Sequence, residues 1–130
     1  MIVIDASAMV EALVGRARDA ELLDALGGEL SAPHLLDVEV VSVLRGLSLG
    51  GRIAPELADE ARRDHFAFTI LRHELEPLAE RVWALRHQLT AYDGWYVALA
   101  EALECPLLTC DAKLASPGHG AEVRLLPRTS

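Results

Sequence analysis

The sequence predicts an α/β fold, a three-layer α/β/α sandwich around a short parallel sheet. Short apolar runs alternate with segments of helical spacing along the 130 residues, and such alternation implies parallel strands with helices on both faces of the sheet. The apolar fraction of 52% is enough to fill one core in a chain of this length. No internal repeat or long linker interrupts the pattern, so residues 1–130 are expected to form a single domain.

The first half of the chain is expected to contain two strands and four helices. The apolar runs at 2–4 and 30–32 predict the strands. Helical spacing predicts helices at 6–13, 19–26, 35–49 and 54–68. Glycine at 15, 27–28 and 50–51 ends the first three of them, and Pro33 is expected to open the third.

The second half is expected to contain three strands and two helices. An edge strand is predicted within 69–75, and short strands at 107–109 and 122–126. Pro77 is expected to begin a helix that reaches about residue 89. Thr90 and Asp93 form a T-x-x-D capping box, which predicts a helix from there to about residue 104.

Charge and cysteine content limit the possible functions. The chain has 20 acidic and 12 basic residues and a formal net charge of −8, which argues against a general binder of polyanions. The start of the chain lacks the pattern of a signal peptide, and no apolar run approaches the roughly 18 residues that a membrane span needs. Cys105 and Cys110 bracket a predicted strand and lie too far apart for a disulfide. Free thiols favour the cytoplasm.

Two carboxylates follow predicted strands directly. Asp5 comes after the first strand and Asp111 after the strand at 107–109, and ligands of parallel α/β sheets bind outside the carboxyl ends of the strands. Aspartate is also a favoured helix N-cap. Either residue taken alone is therefore equally consistent with capping.

Glu39 and Asp93 are predicted on inward-facing sides of their helices. Glu39 falls on the apolar stripe of the helix at 35–49, together with Val40 and Val43. Burying its charge is costly without compensation, although the side chain can also reach the edge of the stripe or pair with an arginine. Asp93 shares a face with Tyr96, but its place in the capping box favours a structural role when it is considered alone.

The four acids together indicate a metal site. Carboxylates that converge in one pocket repel one another, so either some stay protonated or a cation neutralises them. An all-oxygen set of ligands without His or Cys selects Mg²⁺, with Mn²⁺ as the other candidate. Mg²⁺ held by carboxylates is typical of phosphoryl-transfer chemistry.

Four blocks of the sequence resemble a PIN domain, specifically the VapC-type toxins of bacterial toxin–antitoxin pairs. The blocks lie at residues 3–8, 33–39, 92–100 and 107–111, and each contains one of the four acids. The resemblance extends from about residue 2 to residue 126. It implies a Mg²⁺-dependent endoribonuclease in which Asp5 and Asp93 are the leading metal ligands and Glu39 and Asp111 complete the catalytic pocket.

The resemblance also implies further residues and partners. Ser7 and Thr109 are candidates for orienting carboxylates or waters, although local capping or turn hydrogen bonds are the favoured explanation for both. The implied partners are an RNA substrate, a cognate VapB-type antitoxin that covers the acidic pocket, and a second copy of the chain in a homodimer. Gly94 departs from the family pattern, in which Ala is commoner.

Residues that would contact RNA or partners are harder to choose from sequence. The candidates for gripping RNA are Arg16, Arg18 and Arg45, which surface solubility explains equally well. The candidates for an antitoxin groove or a dimer interface are aromatic, although core packing is the default role of such residues: Phe66, Phe68, Trp83 and Trp95.

Other functional classes fit the sequence less well. A dinucleotide-binding fold needs a G-x-G-x-x-G motif after the first strand, and none is present. The five histidines and two cysteines show no zinc-binding spacing. The serious alternative is a catalytically silent PIN-like module that binds RNA or an antitoxin, and the presence of all four acids argues against it.

Overall fold

The computed structural model describes residues 1–130 and has a five-stranded parallel sheet with helices on both faces. The strands are β1 (Ile2–Ile4), β2 (Leu30–Pro33), β3 (Ile70–His73), β4 (Leu107–Thr109) and β5 (Val123–Leu125). The helices are α1 (Ala6–Val14), α2 (Ala20–Leu26), α3 (Leu35–Leu49), α4 (Pro55–Ala67), α5 (Ala79–Ala84) and α6 (Ala91–Leu103). Two 3-10 helices, Glu76–Leu78 and Ala112–Ala115, complete the structure. The predicted α/β sandwich is confirmed.

The order of the strands places the site. The sheet runs β3-β2-β1-β4-β5, so the chain winds outwards from β1 to one edge and then crosses to β4 and the other edge. Ile4 pairs with Leu108, and the N–H of Asp5 donates to the carbonyl of Leu108 at 3.2 Å. In sheets of this kind, the place where the strand order reverses opens a crevice at the carboxyl ends of the strands. Here that place lies between β1 and β4.

The core is formed by the central strands and the helices that cover them. Val3, Ile4, Leu107 and Leu108 are fully buried. Helix α1 contacts α3 and α4 beside the sheet, while α6 contacts β1, β2 and β4 and is in turn covered by α5. Both faces of the central strands are covered, which explains why β1 is apolar throughout and why Thr109 is the one polar residue of β4. No helix combines the length and the apolar character that a membrane span requires.

Two sequence expectations are wrong in detail. Pro33 is the last residue of β2 and does not open α3, which begins at Leu35 after His34. The helix expected from Pro77 to residue 89 is a 3-10 turn followed by α5, which ends at Ala84. Thr90 has the extended backbone of an N-cap, so the chain must leave the helical conformation before α6 begins.

Candidate functional site

One cleft of about 260 Å³ brings together all four acids singled out in the sequence. It opens at the carboxyl ends of β1 and β4, where the strand order reverses. The acids come from four different parts of the chain: Asp5 follows β1, Glu39 lies on α3, Asp93 on α6, and Asp111 follows β4. The cleft therefore exists only once the sheet and both helical layers are assembled.

Asp5 is the most deeply buried of the four. Its side chain is 4% exposed and accepts hydrogen bonds on both oxygens. Oδ1 accepts from the backbone N–H of Ala8 at 2.9 Å and from the Ser7 hydroxyl at 2.7 Å, and Oδ2 accepts from the Thr109 hydroxyl at 2.5 Å. The bond from Ala8 caps helix α1. Asp5 is therefore both a helix cap and an oriented carboxylate.

Ser7 and Thr109 are held in turn by the backbone that follows β4. The N–H of Cys110 donates to the Ser7 hydroxyl at 2.9 Å, and the N–H of Asp111 donates to the Thr109 hydroxyl at 2.9 Å. Each hydroxyl accepts one backbone bond and donates its own proton to Asp5. This network fixes both carboxylate oxygens in one orientation. The hydroxyls thus orient a carboxylate through bonds that are also local turn bonds.

Glu39 is half-buried and makes its hydrogen bond with a tyrosine. The Tyr96 hydroxyl donates to Oε1 of Glu39 at 2.7 Å, while no arginine pairs with this glutamate. The apolar stripe expected to include Val43 is wrong at that position, because Val43 is 41% exposed. The buried residues of α3 are Leu36, Val40 and Leu44. Glu39 therefore faces the cleft from the edge of the apolar stripe.

Asp93 and Asp111 each occupy the start of a helical segment. The Asp93 N–H donates to the Thr90 hydroxyl at 3.2 Å, as the capping box predicted. Asp111 caps the 3-10 helix that follows β4 and accepts from the N–H of Lys113 at 3.0 Å. Gly94 has a packing role, because an added Cβ would lie 3.1 Å from Cγ1 of Val82 on α5. The close approach of α5 thus explains a glycine in the first turn of α6.

The electrostatics of the cleft raise the pKa values of Asp5, Glu39 and Asp93 when no cation is bound. Burial, and to a smaller extent the charge of Asp93, raises the pKa of Asp5 against the effect of its hydrogen bonds. Burial, together with the charges of Asp5 and Asp93, raises the pKa of Glu39. Burial and the charge of Asp111 raise the pKa of Asp93. A cation in the cleft would offset all three effects at once.

The donor chemistry of the cleft fits a hard divalent cation, but the side chains are not gathered around a point. No group of three or more His, Cys, Asp or Glu side chains is arranged closely enough to hold a metal ion as it stands. Asp5 is fixed by its hydrogen bonds, whereas Glu39, Asp93 and Asp111 are partly exposed and have room to rotate. Metal binding would therefore require these three carboxylates to turn towards Asp5.

The basic and aromatic candidates divide between the cleft and other surfaces. Arg18 and Arg45 lie on separate surface grooves, and Arg16 lines a cavity next to the cleft. Sequence analysis missed Arg52 and Arg128, which line the cleft itself. Arg52 follows the glycine pair that ends α3, and no sequence signal connects either arginine with the acids.

The four aromatic candidates also separate into two groups. Phe66 is 52% and Trp83 69% exposed, so both are available to a partner. Phe68 packs against the core, and the indole N–H of Trp95 donates to the carbonyl of Leu75 at 3.0 Å. Phe68 and Trp95 therefore have structural roles within this chain.

Comparison with known proteins agrees with this arrangement. Residues 2–119 match the family model of the PIN domain. The chain belongs to the PIN-domain family. Ribonuclease VapC1 of Mycobacterium tuberculosis is 45% identical to this PIN domain over 129 residues, which cover 95% of this chain and 96% of the relative.

Solved structures show the same fold. PAE2754 from Pyrobaculum aerophilum superposes on this PIN domain with a TM-score of 0.71 at 25% identity, over 94% of this chain and 82% of that one. A chain from a toxin–antitoxin complex of Klebsiella pneumoniae superposes with a TM-score of 0.61 at 20% identity, over 87% of this chain and 88% of that one. At this level of identity, the second likeness supports the fold alone.

Proposed function

We propose that this PIN domain is the toxin of a toxin–antitoxin pair and a metal-dependent endoribonuclease. The observation that carries the proposal is the shared cleft, in which carboxylates from four segments meet at the carboxyl ends of β1 and β4. The name of the 45% identical relative, a ribonuclease, agrees with it. Asp5, Glu39, Asp93 and Asp111 are the proposed catalytic and metal-binding residues. Mg²⁺ is the proposed metal, and Mn²⁺ is the alternative.

The proposed role of each carboxylate follows from its surroundings in the cleft. A divalent cation held by the four carboxylates supplies a Lewis acid that activates water and offsets negative charge on a phosphodiester. Asp5 is the rigid ligand, because Ser7, Thr109 and the N–H of Ala8 fix both its oxygens. Glu39 keeps Oε2 free while Tyr96 binds Oε1. Asp93 and Asp111 lie at the starts of helical segments and complete the lining of the cleft.

A cationic antitoxin segment is the proposed partner of the same cleft. Burial and mutual repulsion raise the pKa values of Asp5, Glu39 and Asp93, so an inserted arginine or lysine would relieve repulsion as a metal does. A homodimer belongs to the proposal as well, and the exposed Val38 and Trp83 are apolar candidates for its interface. The proposed location is the cytoplasm, in keeping with two free cysteines.

Cleavage of RNA by the purified protein tests the function. We expect discrete cuts in total bacterial RNA that require Mg²⁺, disappear in EDTA and are absent with Asp5→Asn. Asp24→Asn is the matched control, because Asp24 is an exposed carboxylate on α2, outside the cleft. Cutting by Asp5→Asn at the wild-type rate would refute the assignment of the site. RNA binding without any cutting would favour the silent binding module.

A further inference from the structure

Two arginines line the acidic cleft without neutralising it. Arg52 and Arg128 are exposed, and neither side chain forms an ion pair or a hydrogen bond within the chain. By contrast, Arg62, Arg72 and Arg81 each pair with a carboxylate at 2.6–2.8 Å. Guanidinium groups prefer bidentate contacts with carboxylates and phosphates. Arg52 and Arg128 are therefore free to contact a ligand in the cleft.

The backbone places both arginines at defined points on the rim. Arg52 follows Gly51, whose φ of 73° makes the turn after α3, and its N–H donates to the carbonyl of Leu47 at 2.9 Å. Arg128 lies in a strap, residues 127–130, that is anchored on both sides. Before the strap, the N–H of Leu126 donates to the carbonyl of Thr109 at 2.8 Å. The arginine side chains can move, but their points of attachment are fixed.

The second anchor of the strap is a buried carboxylate that the proposed reaction does not use. Glu11 on α1 is fully buried, and its Oε1 accepts from the N–H groups of Thr129 and Ser130 at 2.7 and 2.9 Å. The Thr129 hydroxyl donates to Oε2 of Glu11 and accepts from the N–H of Arg16 at 2.9 Å. Burial of a charge is tolerated here because three donors compensate for the lost water. The strap is thus tied across the end of α1.

A second cavity continues from the cleft on the same side. It has a volume of about 460 Å³ and shares Leu47, Arg52 and Ser130 with the acidic cleft. Arg16 is a further lining residue, and no acidic residue lines it. In a chain with a net charge of −8, a cavity lined by two arginines and by no acidic side chain is a local exception. This second cavity extends away from the carboxylates, past the turn after α3 and the strap.

We propose that Arg52 and Arg128 bind the phosphates next to the scissile phosphate, and that the RNA strand leaves the cleft past Arg16. This assignment rests on the proposed function, because it takes RNA as the substrate of the cleft. A strand that approaches an acidic protein needs local cations to offset long-range repulsion. Arg52 and Arg128 supply such cations at the lining of the cleft itself.

Binding of RNA to arginine variants tests the assignment separately from catalysis. The probe is a 5′-fluorescent pool of single-stranded RNA of mixed sequence, followed by anisotropy in EDTA, where no cleavage is expected, over a series of KCl concentrations. We expect Arg52→Gln and Arg128→Gln each to raise Kd roughly tenfold, as is typical for loss of a charged hydrogen bond. Each change should also lower the slope of log Kd against log salt concentration by about 0.7.

Arg45→Gln is the matched control. Arg45 is exposed and unpaired like the two rim arginines, but it lies on a separate groove beside α4. Equal melting temperatures of the wild type and the three variants would show that all of them fold. If Arg52→Gln and Arg128→Gln bind the pool as tightly as Arg45→Gln, the assignment is overturned.

The cleavage assay on total RNA distinguishes failure of the nuclease proposal from failure of the arginine assignment. If the wild type cuts RNA and the rim variants bind normally, only the assignment of Arg52 and Arg128 fails. If the wild type binds the pool through these arginines but cuts nothing, their role in binding RNA stands and the nuclease proposal fails. If the wild type neither binds nor cuts RNA, both are overturned.

Discussion

Exchange of Asp5 for asparagine should stabilise the protein when no metal is present. The Asp5 carboxylate is 4% exposed, and burial raises its pKa despite hydrogen bonds from Thr109, Ala8 and Ser7. Asparagine has nearly the same shape and keeps an oxygen that can accept from Ala8 and Ser7. It carries no charge, so the desolvation penalty of the carboxylate disappears. We therefore expect Asp5→Asn to raise the free energy of unfolding in EDTA at neutral pH.

The size of the effect follows from opposing contributions. Hydrogen bonds to a charged acceptor contribute about 1.5–3 kcal/mol each, and an ion buried without a counter-ion costs several kcal/mol. The raised pKa of Asp5 means that the cost of burying the charge exceeds the gain from the hydrogen bonds. The amide nitrogen of asparagine would face the Thr109 hydroxyl, which then loses its acceptor at a cost of about 1 kcal/mol. The expected net gain is about 1 kcal/mol, or about 4 °C in Tm for a chain of this size.

Mg²⁺ should reverse the order of stability. A ligand at ten times its Kd stabilises the folded state by about 1.4 kcal/mol, and a variant without the Asp5 charge should gain less. The assay is thermal unfolding of wild type, Asp5→Asn and the control Asp24→Asn, first in EDTA and then over a series of Mg²⁺ concentrations. A lower Tm of Asp5→Asn in EDTA would show that the hydrogen bonds outweigh the charge penalty. A wild-type Tm that does not rise with Mg²⁺ would refute the metal site.

Three further predictions separate catalytic from structural roles. Thr90→Ala removes the cap of α6 and should lower the free energy of unfolding by about 1 kcal/mol in a denaturant titration. Asp93→Asn should instead retain the fold and lose RNA cleavage. A loss of stability in Asp93→Asn with cleavage retained would make Asp93 a structural residue. Tyr96→Phe removes the donor to Glu39, so the pKa of that carboxyl should rise further and Mg²⁺ affinity in calorimetry should fall about tenfold. Unchanged affinity would show that the hydrogen bond from Tyr96 does not contribute to metal binding. The pKa of Asp5 in the folded state is raised above its ordinary value of 3.8, so the free energy of unfolding in EDTA should fall as pH rises from about 3.8 through the folded pKa. Mg²⁺ affinity should rise over the same pH range. Thermal melts and calorimetry across pH test this, and it is contradicted if both quantities stay constant.

Capping and catalysis are not competing explanations for the acids of this cleft. Asp5 caps α1 and Asp111 caps the 3-10 helix after β4, yet both line the cleft. A strand that ends at the start of a helix places its last side chain at the mouth of the sheet, where capping and ligand binding use the same position. Stability measurements alone will therefore not distinguish the two roles, and each variant needs a functional measurement.

Local sequence patterns were enough to predict the elements that create the cleft. The apolar run at residues 2–4 and the Thr90 capping box match β1 and the start of α6 in the structure. The bounds predicted for α3, residues 35–49, are those observed. These signals succeed because apolar periodicity, glycine stops and caps act over a few neighbouring residues. They also place the acids directly after strands or on helices.

Local patterns failed where a distant segment decides the conformation. The helix expected after Pro77 stops at Ala84, because the chain must become extended at Thr90 to begin α6. Val43 is 41% exposed although helical spacing placed it on the inward stripe. Val43 lines the open cleft, which leaves its side chain partly accessible. Periodicity identifies the apolar face of a helix, but it does not show which positions on that face are buried by other elements.

The sequence by itself determined the fold class, the order of the elements and the four acidic positions, because each depends on contacts within a short stretch of chain. Only the tertiary structure decided which groups meet. Tyr96 reaches Glu39 across 57 positions, and Thr109 reaches Asp5 across 104. Arg128 comes to the same cleft through a strap tied to Glu11. Such pairings depend on the crossover from β3 to β4 and on packing across the sheet, which spacing along the chain does not encode.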